Sequence, residues 1–316
     1  MDRLRSILAI VDPGATTHPA VTKAAVLARG FHARVTLLIC DSERAVAASN
    51  FFDAETCDLF RSRLILPHHG VLETLAEPLR AAGIVVDTEV ILQTPLHAGL
   101  LRKIQQLKPD LVVKDTHFHS AIRRALLSYT DWHLIRDSPA PLLLVKAREW
   151  PAKGVRLAAA VDPGHPDDKP WTLDHELIGA MEYLSTGLPA DCSVVNCFCA
   201  LQDFVEQTAG GSAEFAAVGV TGIEAARRLQ REALRTLVTG HRVAATDVHL
   251  IDGAPVEALP HFVHQQHTDV LVMGAIARSS LFSLIVGSSA ERVLDRLECD
   301  VLILKPESLS ATLWMP

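Results

Sequence analysis

An α/β fold of two tandem Rossmann-like domains, each a five-stranded parallel sheet flanked by helices, is what this sequence predicts. Three observations carry that expectation. The chain has 316 residues, about twice the roughly 150 that one domain takes. Its second half repeats the first, block by block. Within each half, short apolar runs alternate with longer segments of helical period, the pattern of strands joined by crossover helices.

The repeat fixes the domains. Ile7-Leu8-Ala9-Ile10-Val11-Asp12-Pro13-Gly14 returns as Leu157-Ala158-Ala159-Ala160-Val161-Asp162-Pro163-Gly164. Val85 to Leu92, followed by Pro95, returns as Ala245 to Ile251, followed by Pro255. Pro109 to Val113 matches Thr268 to Val272, and Leu142-Leu143-Leu144-Val145-Lys146 matches Val301-Leu302-Ile303-Leu304-Lys305 without a further gap. The order of blocks is kept, which points to duplication. The expected domains are residues 1–147 and 155–308, with Arg148 to Gly154 as the junction.

In the second half the strands fall at Leu157 to Asp162, Ser193 to Cys199, Ala244 to Ile251, Val270 to Gly274 and Val301 to Lys305. Each is almost wholly apolar, as strands covered by helices on both faces should be. A helix is expected over Ile223 to Thr239, where Ile223, Ala226, Leu229, Ala233, Leu234 and Leu237 share one face opposite Arg227, Arg228, Arg231 and Glu232. Leu96 to Leu107 repeats the pattern. Its counterpart contains Pro260 and is expected to start near Leu259.

Composition excludes several classes. With 49% hydrophobic and 21% charged residues and a mean hydropathy of +0.21, the chain is not a disordered one. The longest near-apolar stretch, Ser279 to Ala290, is bounded by Arg278 and Glu291 and falls short of the roughly 18 residues of a membrane span. Ile7 to Val11, cut off by Asp12-Pro13, is too short for a signal segment. Thirty basic residues against 37 acidic ones, a formal charge of −7, leave no basic stripe for nucleic acid. Six cysteines without a C-x-x-C pair read as reduced core thiols. A cytoplasmic protein is expected.

In an open parallel sheet a ligand binds beyond the carboxyl ends of the strands, where the strand order reverses. Two segments therefore matter: Val161-Asp162-Pro163-Gly164, and the stretch from Met273-Gly274-Ala275-Ile276-Ala277-Arg278 to Gly287-Ser288-Ser289-Ala290-Glu291. Gly287 allows close backbone approach, and the helix that follows offers free N–H groups and a partial positive charge, so Gly287-Ser288-Ser289 suits phosphate. Ser288 and Glu291 have the spacing of a capping box. Arg278 could add a guanidinium. The bland alternative is that Gly287 turns the chain and Ser288 caps a helix. Likewise, Asp-Pro-Gly after a strand is ordinary turn chemistry.

These residues resemble the universal stress protein family, whose nucleotide-binding members carry G-x-x-G, nine residues, then G-[ST] after the fourth strand. Gly274, the nine residues from Arg278 to Val286, and Gly287-Ser288 match, while Ala277 stands where the second glycine belongs. The segment Ser288 to Pro306, the tandem arrangement and Thr130-Asp131-Trp132-His133-Leu134 resemble the tandem, E-type branch of that family. The resemblance implies an adenine nucleotide alpha hydrolase-like fold and a noncatalytic stress-response role. It implies ATP or a related nucleotide, with Mg, in the second domain. Asp162 would lie beside base or ribose, and Gly274, Ala277, Arg278, Gly287, Ser288 and Ser289 around the phosphates. If Ala277 takes positive φ, its Cβ costs about 1 kcal/mol. Three rivals remain: another phosphate-linked ligand with an apolar portion, suggested by Ala277, Leu281, Phe282 and Leu284; a scaffold with no ligand; and an enzyme of nucleotide hydrolysis or transfer, for which no residue stands out as the base.

The first half differs. Gapless alignment from its last strand sets Asp115 opposite Gly274, Phe118 opposite Ala277, Ser128 opposite Gly287 and Tyr129 opposite Ser288. A carboxylate where phosphate should approach is repulsive, so this half is expected not to bind ATP. Its fifth strand, Leu142 to Val145, and the corresponding Val301 to Leu304 would be sheet edges that need a partner. The family pairs such strands across a dimer, and a tandem chain can pair them internally as a pseudo-dimer.

His261, His264 and His267 recur every three residues, but zinc pairs favour other spacing and a closing ligand, and a solvated helix face is expected. His68-His69 are read as loop, and His117 and His119 as part of the degenerate loop. Cys197 and Cys199 share one side of a strand and are expected to pack. With no G-x-S-x-G, H-E-x-x-H or P-loop, no catalytic residue and no metal ligand is assigned. Gly210-Gly211, in Gln207 to Ser212, would make a mobile loop over the cleft.

Overall fold

The computed structural model describes residues 4–41, 54–116, 127–163, 172–199, 220–274 and 292–305. In the first half, β1 (Ser6–Ile10), α1 (Pro19–Phe31), β2 (Arg34–Asp41), α2 (Ala54–Ala81), β3 (Val86–Leu92), α3 (Leu96–Leu107), β4 (Leu111–Asp115), α4 (Tyr129–Asp137) and β5 (Leu142–Val145) follow one another. The second half gives β6 (Val155–Ala160), α5 (Thr172–Gly187), β7 (Ala190–Phe198), α6 (Val220–Val238), β8 (Val248–Asp252), α7 (Pro255–Gln266), β9 (Val270–Gly274) and β10 (Asp300–Leu304). None of the described helices is long and apolar enough to cross a membrane.

All ten strands form one sheet in the order β3-β2-β1-β4-β5-β10-β9-β6-β7-β8. Each half is parallel throughout, and the reversal of strand order falls between β1 and β4 and between β6 and β9. The halves join through their fifth strands, the only antiparallel pair among the described residues: Val301 lies opposite Leu144, Leu302 opposite Leu143 and Ile303 opposite Leu142. Since Leu143 and Leu302 are equivalent in the repeat, the pseudo-two-fold axis passes between them, and the contact is self-complementary as a two-fold contact must be.

Register confirms the repeat alignment residue by residue. Ile7 pairs with Leu111 and Val35, and Leu157 with Val270 and Cys192. Asp115 pairs with Val145, and Gly274 with Leu304. The two residues that sequence alignment sets opposite each other therefore occupy the same place in the two sheets.

The apolar runs of the inner strands are buried on both faces, as their composition requires, while the edge strands β3 and β8 are half-buried. On one face Ile7, Ala9 and Val11 pack with α1, α2, α5 and α6; on the other, Leu8 and Ile10 pack with α3, α4 and α7. Both cores hold residues of both halves. Across the pseudo-axis α1 meets α5: the Phe31 and Tyr183 rings stack at 4.9 Å, and the Tyr183 hydroxyl accepts the Leu4 N–H at 2.8 Å.

Two element starts lie four residues from expectation, and the other starts lie within three. The strand expected from Ala244 begins at Val248, because Ala245–Asp247 form a turn of 3-10 helix. The helix expected near Leu259 begins at Pro255. A proline at the first helical position loses only an N–H that has no partner there, and Pro260 is carried inside the helix.

Candidate functional site

Parallel strands deliver their carboxyl ends to one side of a sheet, and in the second half this brings Asp162 and Gly274 together. Asp162 follows β6, Gly274 ends β9, and Ala160 pairs with Met273 between them. The Asp162 N–H donates to Asp174 Oδ1 at 3.1 Å. Asp174 belongs to the first turn of α5 and is 5% exposed, so a buried carboxylate fixes the backbone of the strand-end turn. Gly274 has a packing reason too: a Cβ there would meet Leu173 Cδ2 at 2.9 Å. The missing side chain lets α5 start close against the end of β9.

The neighbouring strand completes this end of the crevice. Asn196 Nδ2 donates to the Val161 carbonyl at 2.9 Å, and Gln230 Nε2 of α6 donates to Asn196 Oδ1 at 3.0 Å. Burial pushes the Cys197 thiol up to about 12, with the Asp162 carboxylate adding to the shift. A thiol so held stays protonated at neutral pH and is a poor nucleophile, in keeping with a packing role. Ala277, Arg278, Gly287, Ser288 and Ser289 lie outside the described residues, as do Gln207 to Ser212, Phe118, His117 and His119.

In the first half the corresponding strand end carries the protein's own charges. His18, the residue before α1, gives its helix no side-chain cap. Asp115, at the end of β4, supplies one instead: its Oδ1 accepts the Ala20 N–H at 2.6 Å. Oδ2 is buried without a hydrogen-bond partner among the described residues. Burial raises the Asp115 carboxyl to about 6, against the Ala20 N–H, Lys114 and Lys23, which lower it. Lys114 Nζ pairs with Asp131 Oδ1 at 2.7 Å, the Asp131 side chain being fully buried. Asp131 and Ser128 close the start of α4 as a capping box, with Asp131 Oδ2 accepting Ser128 N–H at 2.7 Å and Ser128 Oγ accepting Asp131 N–H at 3.2 Å. The Tyr129 ring, where the second half has Ser288, is 72% exposed and packs edge-on against His97 and His133.

The remaining candidates take structural places. His267 ends α7 in the left-handed region, at φ 51°. His264 lies 3.7 Å from Glu298. His68 and His69, expected in a loop, lie inside α2, which continues through Pro67, and His68 Nε2 meets Asp41 Oδ2 at 2.9 Å. Among the described residues no three His, Cys, Asp or Glu side chains converge on one metal position. Sequence reasoning missed Asp174, the Lys114–Asp131 pair and the buried Lys23–Asp300 pair. For Lys114, Asp115 and Asp300 a signal existed: each is a charge at the end of an apolar strand, which has to be paired if buried.

Comparison with known proteins gives the same reading of the chain. The pattern of the universal stress protein family matches residues 3–146 and 204–305. Universal stress protein E of Escherichia coli K12 is 22% identical over 315 residues, spanning 97% of this chain and 96% of its own. The Haemophilus influenzae homolog is 20% identical over 309 residues, 96% of this chain and 98% of its own. A solved protein of Pseudomonas aeruginosa PAO1, described as functionally unknown, superimposes with a TM-score of 0.73 at 27% identity, covering 96% of this chain and 93% of its own. A universal stress protein from Archaeoglobus fulgidus shares the fold, with a TM-score of 0.63 at 14% identity and coverage of 96% and 97%. A chain of two such repeats, matched by the family pattern in both, belongs to the universal stress protein family.

Proposed function

We propose that this chain is a noncatalytic universal stress protein that binds ATP or a related nucleotide in its second half only. The observation that carries the reading is the difference at one registered position. In the first half a carboxylate, Asp115, takes the Ala20 amide at the start of α1. In the second half Gly274 stands there and brings no charge. Asp162 would face base or ribose, while Gly274, Ala277, Arg278, Gly287, Ser288 and Ser289 would surround the phosphates, whose Mg ion would arrive with them. At the Gly274 position no carboxylate opposes such a guest, Cys197 is neutral, and the Asp162 backbone is already held by Asp174. Nucleotide occupancy would then alter contacts with protein partners. A second reading keeps the same phosphate position but gives the ligand an apolar portion, in line with Ala277, Leu281, Phe282 and Leu284.

The test is mass spectrometry of ligand released by denaturing gently purified protein, for wild type and Gly287→Glu. A nucleotide lost in the variant supports the proposal. An apolar conjugate lost in the variant supports the second reading instead. Protein that releases no ligand and gives no heat with millimolar ATP overturns both.

A further inference from the structure

Helix α5 and the turn after α6 bring together two imidazoles and a carboxylate. His175 Nδ1 and His241 Nε2 stand 3.0 Å apart. At the opposite nitrogen of the same ring, His241 Nδ1 meets Glu182 Oε2 at 3.2 Å. The other Glu182 oxygen accepts the Arg242 N–H. His175 and Glu182 lie seven residues apart on α5, two helical turns, and so share one of its faces. The His241 and Glu182 side chains are 15% and 20% exposed, whereas His175 is exposed.

The carboxylate decides how His241 behaves. It takes the Nδ1–H, so the lone pair of the neutral ring sits on Nε2 and points at His175. Two neutral imidazoles so placed can share a single proton between their facing nitrogens. They can share a metal ion in the same way. A tetrahedral ion 2.0–2.1 Å from each nitrogen needs the two about 3.3 Å apart, so a widening of a few tenths of an ångström, with both rings turned to aim their lone pairs at one point beside the N–N line, converts the hydrogen bond into a chelate. A carboxylate behind a ligating histidine is the partner that fixes the ring and raises its basicity.

We propose that His175 Nδ1 and His241 Nε2 form a binding site for a late first-row divalent ion, Zn²⁺ foremost, with Glu182 holding His241 from behind. Imidazole pairs favour Zn²⁺, Cu²⁺ and Ni²⁺, while Mg²⁺ prefers oxygen ligands. No third side chain joins the pair among the described residues. The remaining positions are therefore open to water or to a donor atom of a ligand or partner protein.

Calorimetric titration of metal-free full-length protein with ZnCl₂, in the absence of nucleotide, tests this. Wild type should bind Zn²⁺ at a site that disappears in His175→Ala and in His241→Ala. Glu182→Gln should weaken it by about 10- to 100-fold. His264→Ala, which alters a side chain 75% exposed on another helix, should leave it intact. Because His175 is exposed, its replacement does not threaten folding. An isotherm for His175→Ala that superimposes on wild type overturns the site, whether or not the protein binds ATP.

Discussion

Lys23 of the first half and Asp300 of the second meet at 2.6 Å with their side chains 4% and 2% exposed. The carboxylate also accepts the Lys146 N–H at 2.7 Å and the Trp150 Nε1–H at 2.6 Å, while Lys23 Nζ donates to the Lys146 carbonyl at 2.9 Å. Helix α1, the end of β5, the junction and the start of β10 thus converge on one carboxylate beside the strand pair that joins the halves. Burial raises the Asp300 carboxyl, against Lys23, Lys146 and Trp150, which lower it.

A buried pair of this kind is expensive to break and of small net value when whole. Lys23→Met strands Asp300 and should cost about 3–5 kcal/mol at pH 7. The double variant Lys23→Met, Asp300→Asn should recover much of that loss. Because the folded protein raises the Asp300 carboxyl, the penalty in Lys23→Met should shrink as pH falls and the stranded group takes up a proton. Urea unfolding of the three proteins at pH 7 and pH 5 measures this, and equal losses in single and double variants would contradict it.

Asp115 gives a pH dependence with a definite sign. Its carboxyl is raised to about 6 in the folded chain, against an ordinary value of about 3.9 unfolded. The stability linked to its proton is present in full below about pH 4 and is lost as pH rises through 6. Asp115→Asn keeps an oxygen for the Ala20 N–H and removes the charge. It should stabilise the protein at pH 7 by up to about 3 kcal/mol and have little effect at pH 4. Paired melting curves at the two pH values check this; a variant less stable than wild type at pH 7 would refute it.

Where α1 crosses α5, a Cβ on Gly30 would collide with the backbone carbonyl of Gly187. A backbone atom cannot turn aside, so Gly30→Ala should force the helices apart and cost about 2–3 kcal/mol. Gly70, inside α2, has nothing near its Cβ position, and Gly70→Ala should stabilise by about 0.5–1 kcal/mol. Thermal unfolding of both variants separates close approach from ordinary helix propensity.

Much of the fold was legible because its signals are local or repeated. Continuous apolar runs announced strands covered on both faces, and the gapless match of Leu142 to Lys146 with Val301 to Lys305 placed Asp115 against Gly274 before any register was known. Leu96–Leu107 was placed to the residue by its apolar spacing. Pro260 misled, since proline's cost inside a helix is local and the α7 face that buries Leu259, Phe262 and Val263 outweighs it. What stayed hidden was long-range. The Asp174 contact to Asp162 and the Lys23–Asp300 pair, 277 residues apart, depend on which helix lies over which strand end. No spacing rule encodes that. Gly274 showed the limit of motif reading, because its missing side chain also makes room for Leu173.

The measurement closest to the central proposal is the stoichiometry of ATP binding in the presence of Mg²⁺, read by calorimetry on wild type, Gly287→Glu and Asp115→Gly. One nucleotide per chain, abolished by Gly287→Glu and retained in Asp115→Gly, is the result expected of a site confined to the second half. Two nucleotides per wild-type chain, or one that survives Gly287→Glu, would contradict it.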